Sequence, residues 1–169
     1  MRRSVAAAGT ATFFVVAPGT VVGVIPWLIS RWELAGFTPA WRLAQAVGVL
    51  LIVIGLVPLV HSFVQFAKAL GTPMPLAPTQ HLVITGFYRF VRNPMYVGLL
   101  FMIVGQAVLF GSPGVLLYAA IAWVVTAAFI RWYEEPTLAR QYGSQYDEYR
   151  RNVPAWLPRW RPWMPPRQS

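Results

Sequence analysis

"LAQAVGVLLIVIGLVPLVHSFVQF", Leu43 to Phe66, runs for 24 residues without an Asp, Glu, Lys or Arg. An uncharged apolar run of this length matches the roughly 20 residues that an α-helix needs to cross a hydrocarbon core. Three further runs flank it in the chain: about Val5 to Ile29, Met95 to Phe110 and Val115 to Trp132. Lipid offers no partner to an open backbone, and no alternating ten-residue pattern appears, so helices are expected and a barrel is not. The fold class that follows is an all-α integral membrane protein of about four transmembrane helices, a single membrane domain over residues 1–169.

Composition agrees with that reading. Hydrophobic residues make up 57% and charged residues 11%, where soluble chains average roughly 45 to 50% and about 25%. The first run, after Arg2 and Arg3, is about 25 residues long, whereas a secretory leader has an apolar stretch of about 7 to 15 followed by a small-residue cleavage site. It is therefore expected to be a retained helix. Pro18 and Gly19 interrupt this helix and Pro58 the second, which lipid tolerates where neighbours satisfy the freed carbonyls. "GSPG", Gly111 to Gly114, reads as a tight turn joining the third and fourth runs into a helical hairpin. The third run is short unless it begins inside the polar segment before it.

The chain carries 14 Lys plus Arg against 5 Asp plus Glu. The basic residues cluster just beyond apolar runs instead of forming one stripe, which argues for a bilayer surface and against nucleic acid. With a cytoplasmic N-terminus, Arg2, Arg3, Lys68, Arg89, Arg92, Arg131, Arg140, Arg150, Arg151, Arg159, Arg161 and Arg167 share one side, and Arg31 and Arg42 the other. The positive-inside rule then places both termini in the cytoplasm, as for a bacterial inner-membrane protein. There is no cysteine, and His61 and His81 lack metal-ligand spacing, so no metal site is expected.

The expected organisation has two N-terminal transmembrane helices in 1–66. Residues 67–158 follow as a loop, a helical hairpin and an amphipathic helix, and 159–169 form an interfacial tail. The loop, "KALGTPMPLAPTQHLVITG", is too rich in Pro and Gly to be one helix. In "YEEPTLARQYGSQYDEYRRNVP", Leu138, Tyr142, Tyr146, Tyr149 and Val153 recur at helical spacing and give a cytoplasmic helix one apolar-aromatic face.

The chemistry-bearing residues concentrate where this polar half meets the apolar runs. In "GFYRFVRNPMYVG", Gly86 to Gly98, Arg89, Arg92 and Asn93 are bracketed by Gly86 and Pro94. Asn93-Pro94 reads as a helix start, and a helix N-terminus flanked by Arg suits a carboxylate or phosphate. As edge residues the arginines would instead pair with lipid phosphate. Glu134 and Glu135 oppose the helix dipole at the end of the fourth run, so they need partners: arginines, ribose hydroxyls or a cationic ligand. Tyr88 and Tyr96 are interfacial aromatics or a face for a purine or sulfonium. His61, Gln65 and Gln106 are polar groups at membrane depth, candidates for contact with a substrate or bonded to a neighbouring helix. No Walker loop, strand-linked GxGxxG, Ser-His-Asp set or HExxH is present.

"HLVITGFYRFVRNPMYVG", then "GQAVLFGSP", then the Glu-Glu segment closely resemble the isoprenylcysteine carboxyl methyltransferase and phospholipid methyltransferase superfamily over roughly Gly71 to Pro158. The resemblance implies an S-adenosylmethionine pocket on the cytoplasmic side, built from Leu82, Val83, Gly86 and Tyr88, from Arg92, Asn93, Pro94 and Tyr96, and from Glu134 and Glu135. Arg92 and Glu135 are its catalytic pair, and His61, Gln65 and Gln106 would face the acceptor. Isoprenylcysteine enzymes carry His where Asn93 stands, and here His81 is displaced by one beside Gln80. Asn donates a hydrogen bond but does not titrate near neutral pH, which bears on acceptor specificity more than on cofactor binding. The implied reaction is methyl transfer to a hydrophobic or lipid-linked acceptor that enters from the bilayer. A phospholipid N-methyltransferase, an NADPH-dependent sterol-type reductase and a non-enzymatic binder of anionic lipid are the alternatives.

Overall fold

The computed structural model describes residues 16–164, apart from 35, 37, 69–81 and 83. The described residues are helical with no strand, in the order α1 (Val16–Ser30), α2 (Pro39–Lys68), a 3₁₀ turn (Gly86–Arg89), α3 (Pro94–Phe110), α4 (Pro113–Tyr142) and α5 (Ser144–Asn152). Two of these helices are long and apolar enough to cross a membrane, at Trp41–Gln65 and Pro113–Tyr142. The other two apolar helices, α1 and α3, are shorter. The chain divides into two compact units: residues up to Val57 with Gly98–Trp123, and Pro58–Val97 with Val124–Ser169.

Two prolines are accommodated in the same way. A π segment at Gly19–Val24 ends two residues before Pro26, and another at Ile130–Glu134 ends two residues before Pro136. In each, the intervening residue donates five residues back, Ile25 to Thr20 O and Glu135 to Ile130 O. Proline cannot donate the next bond, and widening the turn relieves its clash with the preceding carbonyls without ending the helix. The carbonyls left over near Pro26 are taken up by side chains of the same unit. Tyr118 Oη donates to Val21 O at 3.0 Å, and Gln106 Nε2 donates to Val22 O at 2.7 Å. Gln106 Oε1 accepts from Trp32 Nε1 at 3.3 Å. Both ends of the Gln106 amide are therefore engaged inside the first unit, and this residue, placed among the acceptor-facing candidates by its sequence, works as a helix-to-helix clamp. Replacing Gln106 by Leu is expected to cost about 1 to 3 kcal/mol, because the Val22 carbonyl loses its donor in apolar surroundings. Equilibrium unfolding in mixed detergent micelles reads this directly.

The first unit packs Val22, Ile103, Ala107, Val115 and Ala119 into one core. Beside it α2 and α3 approach to backbone contact along a glycine seam. A Cβ on Gly55 would lie 2.5 Å from Gly98 O, and one on Gly48 2.6 Å from Leu109 N. Gly48 and Gly55 are seven residues apart, as are Gly98 and Gly105, so the small residues recur on one face every two turns.

In the second unit Tyr146, Tyr149 and Val153 form a buried cluster with Leu82, Ile84, Leu138, Ala139, Tyr142 and Trp163 packed against it. The apolar-aromatic face expected of one amphipathic helix is present, but two helices carry it. The fourth run continues unbroken to Tyr142, and Gly143, at φ +54°, breaks the chain before α5. Glycine reaches that left-handed φ without the cost of a Cβ, and its amide closes α4 on Ala139 O. Residues beyond α5 run along the polar motif. Arg92 N–H donates to Pro154 O (2.8 Å), Arg159 N–H to Phe90 O (3.0 Å) and Trp163 N–H to Arg89 O (2.9 Å). The segment 159–163, expected as an interfacial tail, thus straps the motif by backbone bonds.

Candidate functional site

The polar motif of the second unit is held from several directions. Asn93 carries the helix start as its spacing predicts, since Val97 N–H bonds its carbonyl at 3.0 Å and α3 opens at Pro94, which is fully buried. Its side-chain Nδ2 donates to Ala155 O at 3.1 Å, so this amide donor is spent on the strap. Arg89 Nε donates to Trp163 O at 2.9 Å, which ties one donor of that arginine to the same strap. Tyr149 Oη donates to Tyr88 O at 2.7 Å, and burial raises both phenols above their ordinary pKa, so each stays a neutral donor. Tyr149→Phe is expected to cost about 1 to 3 kcal/mol and to loosen the 3₁₀ turn that presents Gly86 and Tyr88. Amide exchange at residues 86–90, compared between wild type and variant, is the check.

Arg92 is different. Its Nη2 lies 3.0 Å from Glu135 Oε1, and both side chains are buried, at 12% and 7% exposure. Arg150 Nε (3.7 Å) and Arg131 Nη1 (4.0 Å) approach the second oxygen, Glu135 Oε2, from more exposed positions. Three guanidinium groups thus face one carboxylate, which leaves this corner net positive. Arg92 Nε and Nη1 are buried and make no hydrogen bond among the described residues. A buried charged donor left open is costly unless another acceptor completes it.

The neighbouring acid points elsewhere. Glu134 Oε2 accepts from Tyr96 Oη at 3.3 Å. Both acids lie where the π segment before Pro136 passes into the following helical turn, with Glu134 closing the segment and Glu135 opening the next turn. Tyr146, whose phenol is pushed up to about 12 by burial and the Glu135 charge, completes the wall with Tyr149. The geometry brings together Arg92, Glu134, Glu135, Tyr88 and Tyr96 with Gly86 and the more peripheral Leu82. Val83, like His81, falls outside the described residues. Gln106 belongs to the first unit.

Three contributors were not singled out from the sequence. Ser62 is fully buried, donates to Pro58 O at 2.7 Å and acts on the Tyr88 phenol, holding its pKa below what burial alone would give. A serine four residues after an in-helix proline is the signal that points to it. Arg150 entered the reading only as charge, and the 154–163 strap carries no local signature.

What these features define is a helical, membrane-type protein with a buried polar corner built at the end of its apolar helices. The phospholipid methyltransferase family matches residues 43–145, and the chain belongs to that family. It is 35% identical over 80 residues to a protein-S-isoprenylcysteine O-methyltransferase of Schizosaccharomyces pombe, covering 46% of this chain and 34% of that one. It is 27% identical over 142 residues to protein-S-isoprenylcysteine O-methyltransferase A of Arabidopsis thaliana, covering 82% and 66%. A phosphatidylethanolamine N-methyltransferase of Pyrenophora tritici-repentis is 34% identical over 71 residues, 42% of this chain and 8% of its own length. The chain thus spans from about a quarter to about two thirds of the isoprenylcysteine O-methyltransferases that it matches.

Proposed function

We propose that this protein is an integral membrane methyltransferase that uses S-adenosylmethionine and acts on a hydrophobic or lipid-linked acceptor. The observation that carries the reading is Arg92: a buried guanidinium anchored by Glu135 through Nη2, with Nε and Nη1 left open. A carboxylate such as that of the methionine moiety completes those donors with charge-assisted bonds. Glu134, beside Tyr96, is the acid for ribose hydroxyls, and Tyr88 and Tyr96 offer ring faces for adenine or the sulfonium. Asn93, Pro94 and Leu82 shape the pocket without spending donors on the ligand. When bound, the cofactor supplies an electrophilic methyl group. For such a transfer the residues here would need only to hold acceptor and cofactor in line and exclude water.

In this reading all four apolar helices lie in the bilayer, with both termini and the motif on the cytoplasmic side, as the charge distribution favours. The family relation supports both carboxyl and amine acceptors, since its named members include O- and N-methyltransferases. A reductase reading requires a nicotinamide phosphate cluster, and of the two motif arginines Arg89 already gives its Nε to Trp163 O. The test is transfer of labelled methyl from S-adenosylmethionine into total membrane lipid by the purified protein, run beside oxidation of NADPH. Label in an extractable lipid-like product supports the proposal. NADPH consumption without methyl transfer overturns it.

A further inference from the structure

His61, on α2, is packed against the turn that opens the polar motif. Its imidazole is seated against Gly86, where φ is +55° and an added Cβ would overlap the ring. The edge of the seat is Phe87, perpendicular at 5.0 Å between centroids. The glycine that opens the motif is thus also the seat of a histidine from α2.

The protonation of that ring follows from its neighbours. Thr85 Oγ1 donates to Gln65 Oε1 at 3.1 Å, which commits the Gln65 oxygen and turns its amide nitrogen inward. Gln65 Nε2 stands 3.2 Å from His61 Nε2. With the Gln65 amide in this orientation its NH₂ donates, which assigns His61 Nε2 as the acceptor and the proton of the neutral ring to Nδ1. Nδ1 is buried and has no hydrogen-bond partner among the described residues. On the same helix Val60 and Val64 are exposed apolar residues, as a lipid-facing surface requires.

We propose that His61 Nδ1–H holds an anionic oxygen of the methyl acceptor's head group, with Thr85 and Gln65 fixing the tautomer that makes it a donor. The inference rests on the methyltransferase reading above. Carboxylate and phosphate oxygens share the required chemistry. An ammonium offers this donor no lone pair.

The experiment uses the detergent-purified full chain carrying His81→Phe, so that one imidazole is observed by nitrogen NMR. Dodecanoate, dodecyl phosphate and dodecylamine are titrated separately. The expected result is a neutral, Nδ1-protonated ring whose Nδ1–H signal shifts saturably with an anionic amphiphile and not with the amine; whichever anion saturates first separates carboxylate from phosphate. Gln65→Glu, which accepts where Gln65 donates, is expected to move the proton to Nε2 and abolish the response. By calorimetry, His61→Phe should weaken the anionic amphiphile about tenfold or more, and His61→Asn, which replaces the lost N–H, should restore it. An Nε2-protonated wild-type ring, an equal response to the amine, or no response to any of the three overturns the proposal. S-adenosylhomocysteine binding, measured on the same sample, reports separately: an imidazole response without it sinks only the methyltransferase reading, and the reverse sinks only the role of His61.

Discussion

Arg92→Lys is expected to abolish saturable binding of S-adenosylmethionine, a loss of about a hundredfold or more in affinity, corresponding to two charge-assisted hydrogen bonds. Arg92 spends Nη2 on Glu135 and keeps Nε and Nη1 open, so one group serves the protein and the ligand at once. A lysine ammonium is a point charge on a flexible stem and cannot reach both. If the arginines only gathered anionic lipid, summed charge would decide and lysine would be tolerated. Arg92→Ala has a second effect, since it removes the nearest partner of a Glu135 that stays buried. Breaking a buried pair on one side costs about 3 to 5 kcal/mol, reduced here by Arg150 and Arg131, which remain within 4.0 Å. The two variants together therefore separate binding from folding: equilibrium dialysis with labelled cofactor should fail for both, and thermal unfolding should shift mainly for Arg92→Ala.

Gly55→Val is expected to be as damaging to the fold as Arg92→Lys is to the site. The Cβ of any residue there meets the Gly98 carbonyl at 2.5 Å and the Phe101 and Met102 side chains at 2.9 Å. Backbone cannot step aside as a side chain does, so α2 and α3 must separate along the seam. The cost should lie at or above the roughly 1 to 3 kcal/mol usual for overpacking. Pairing it with Gly48→Val, whose Cβ would strike Leu109 N, should leave little folded protein in the membrane fraction. Gly23→Ala is the control, because nothing among the described residues lies within 4 Å of that Cβ. Yield and monodispersity on size-exclusion chromatography distinguish the two outcomes.

How far the sequence carries depends on whether the information is local. The apolar runs from Val16 onward, the Gly111 turn, the Asn93-Pro94 helix start and the requirement that adjacent Glu134 and Glu135 find partners are all local, and each corresponds to a helix, turn or ion pair of the fold, while residues 5–15 of the first run lie outside the described residues. That Arg92 is the partner of Glu135 was one option among several arginines; choosing it requires the π turn before Pro136, which spacing at 3.6 residues per turn does not reveal. Gly143 sits inside a regular apolar repeat, so periodicity joined two helices that a left-handed glycine separates. The Gln106 clamp joins residues 84 apart in sequence, and the strap joins Arg89 to Trp163 across 74. Such pairings depend on tertiary approach and leave no mark in either neighbourhood.

One observation tests the central claim most directly: calorimetric titration of S-adenosylhomocysteine into detergent-purified wild-type protein, with NADPH as the comparison. The account predicts saturable binding of the adenosyl ligand, lost in Arg92→Lys, and none of NADPH. A folded wild-type protein that binds NADPH, or neither ligand, would contradict it.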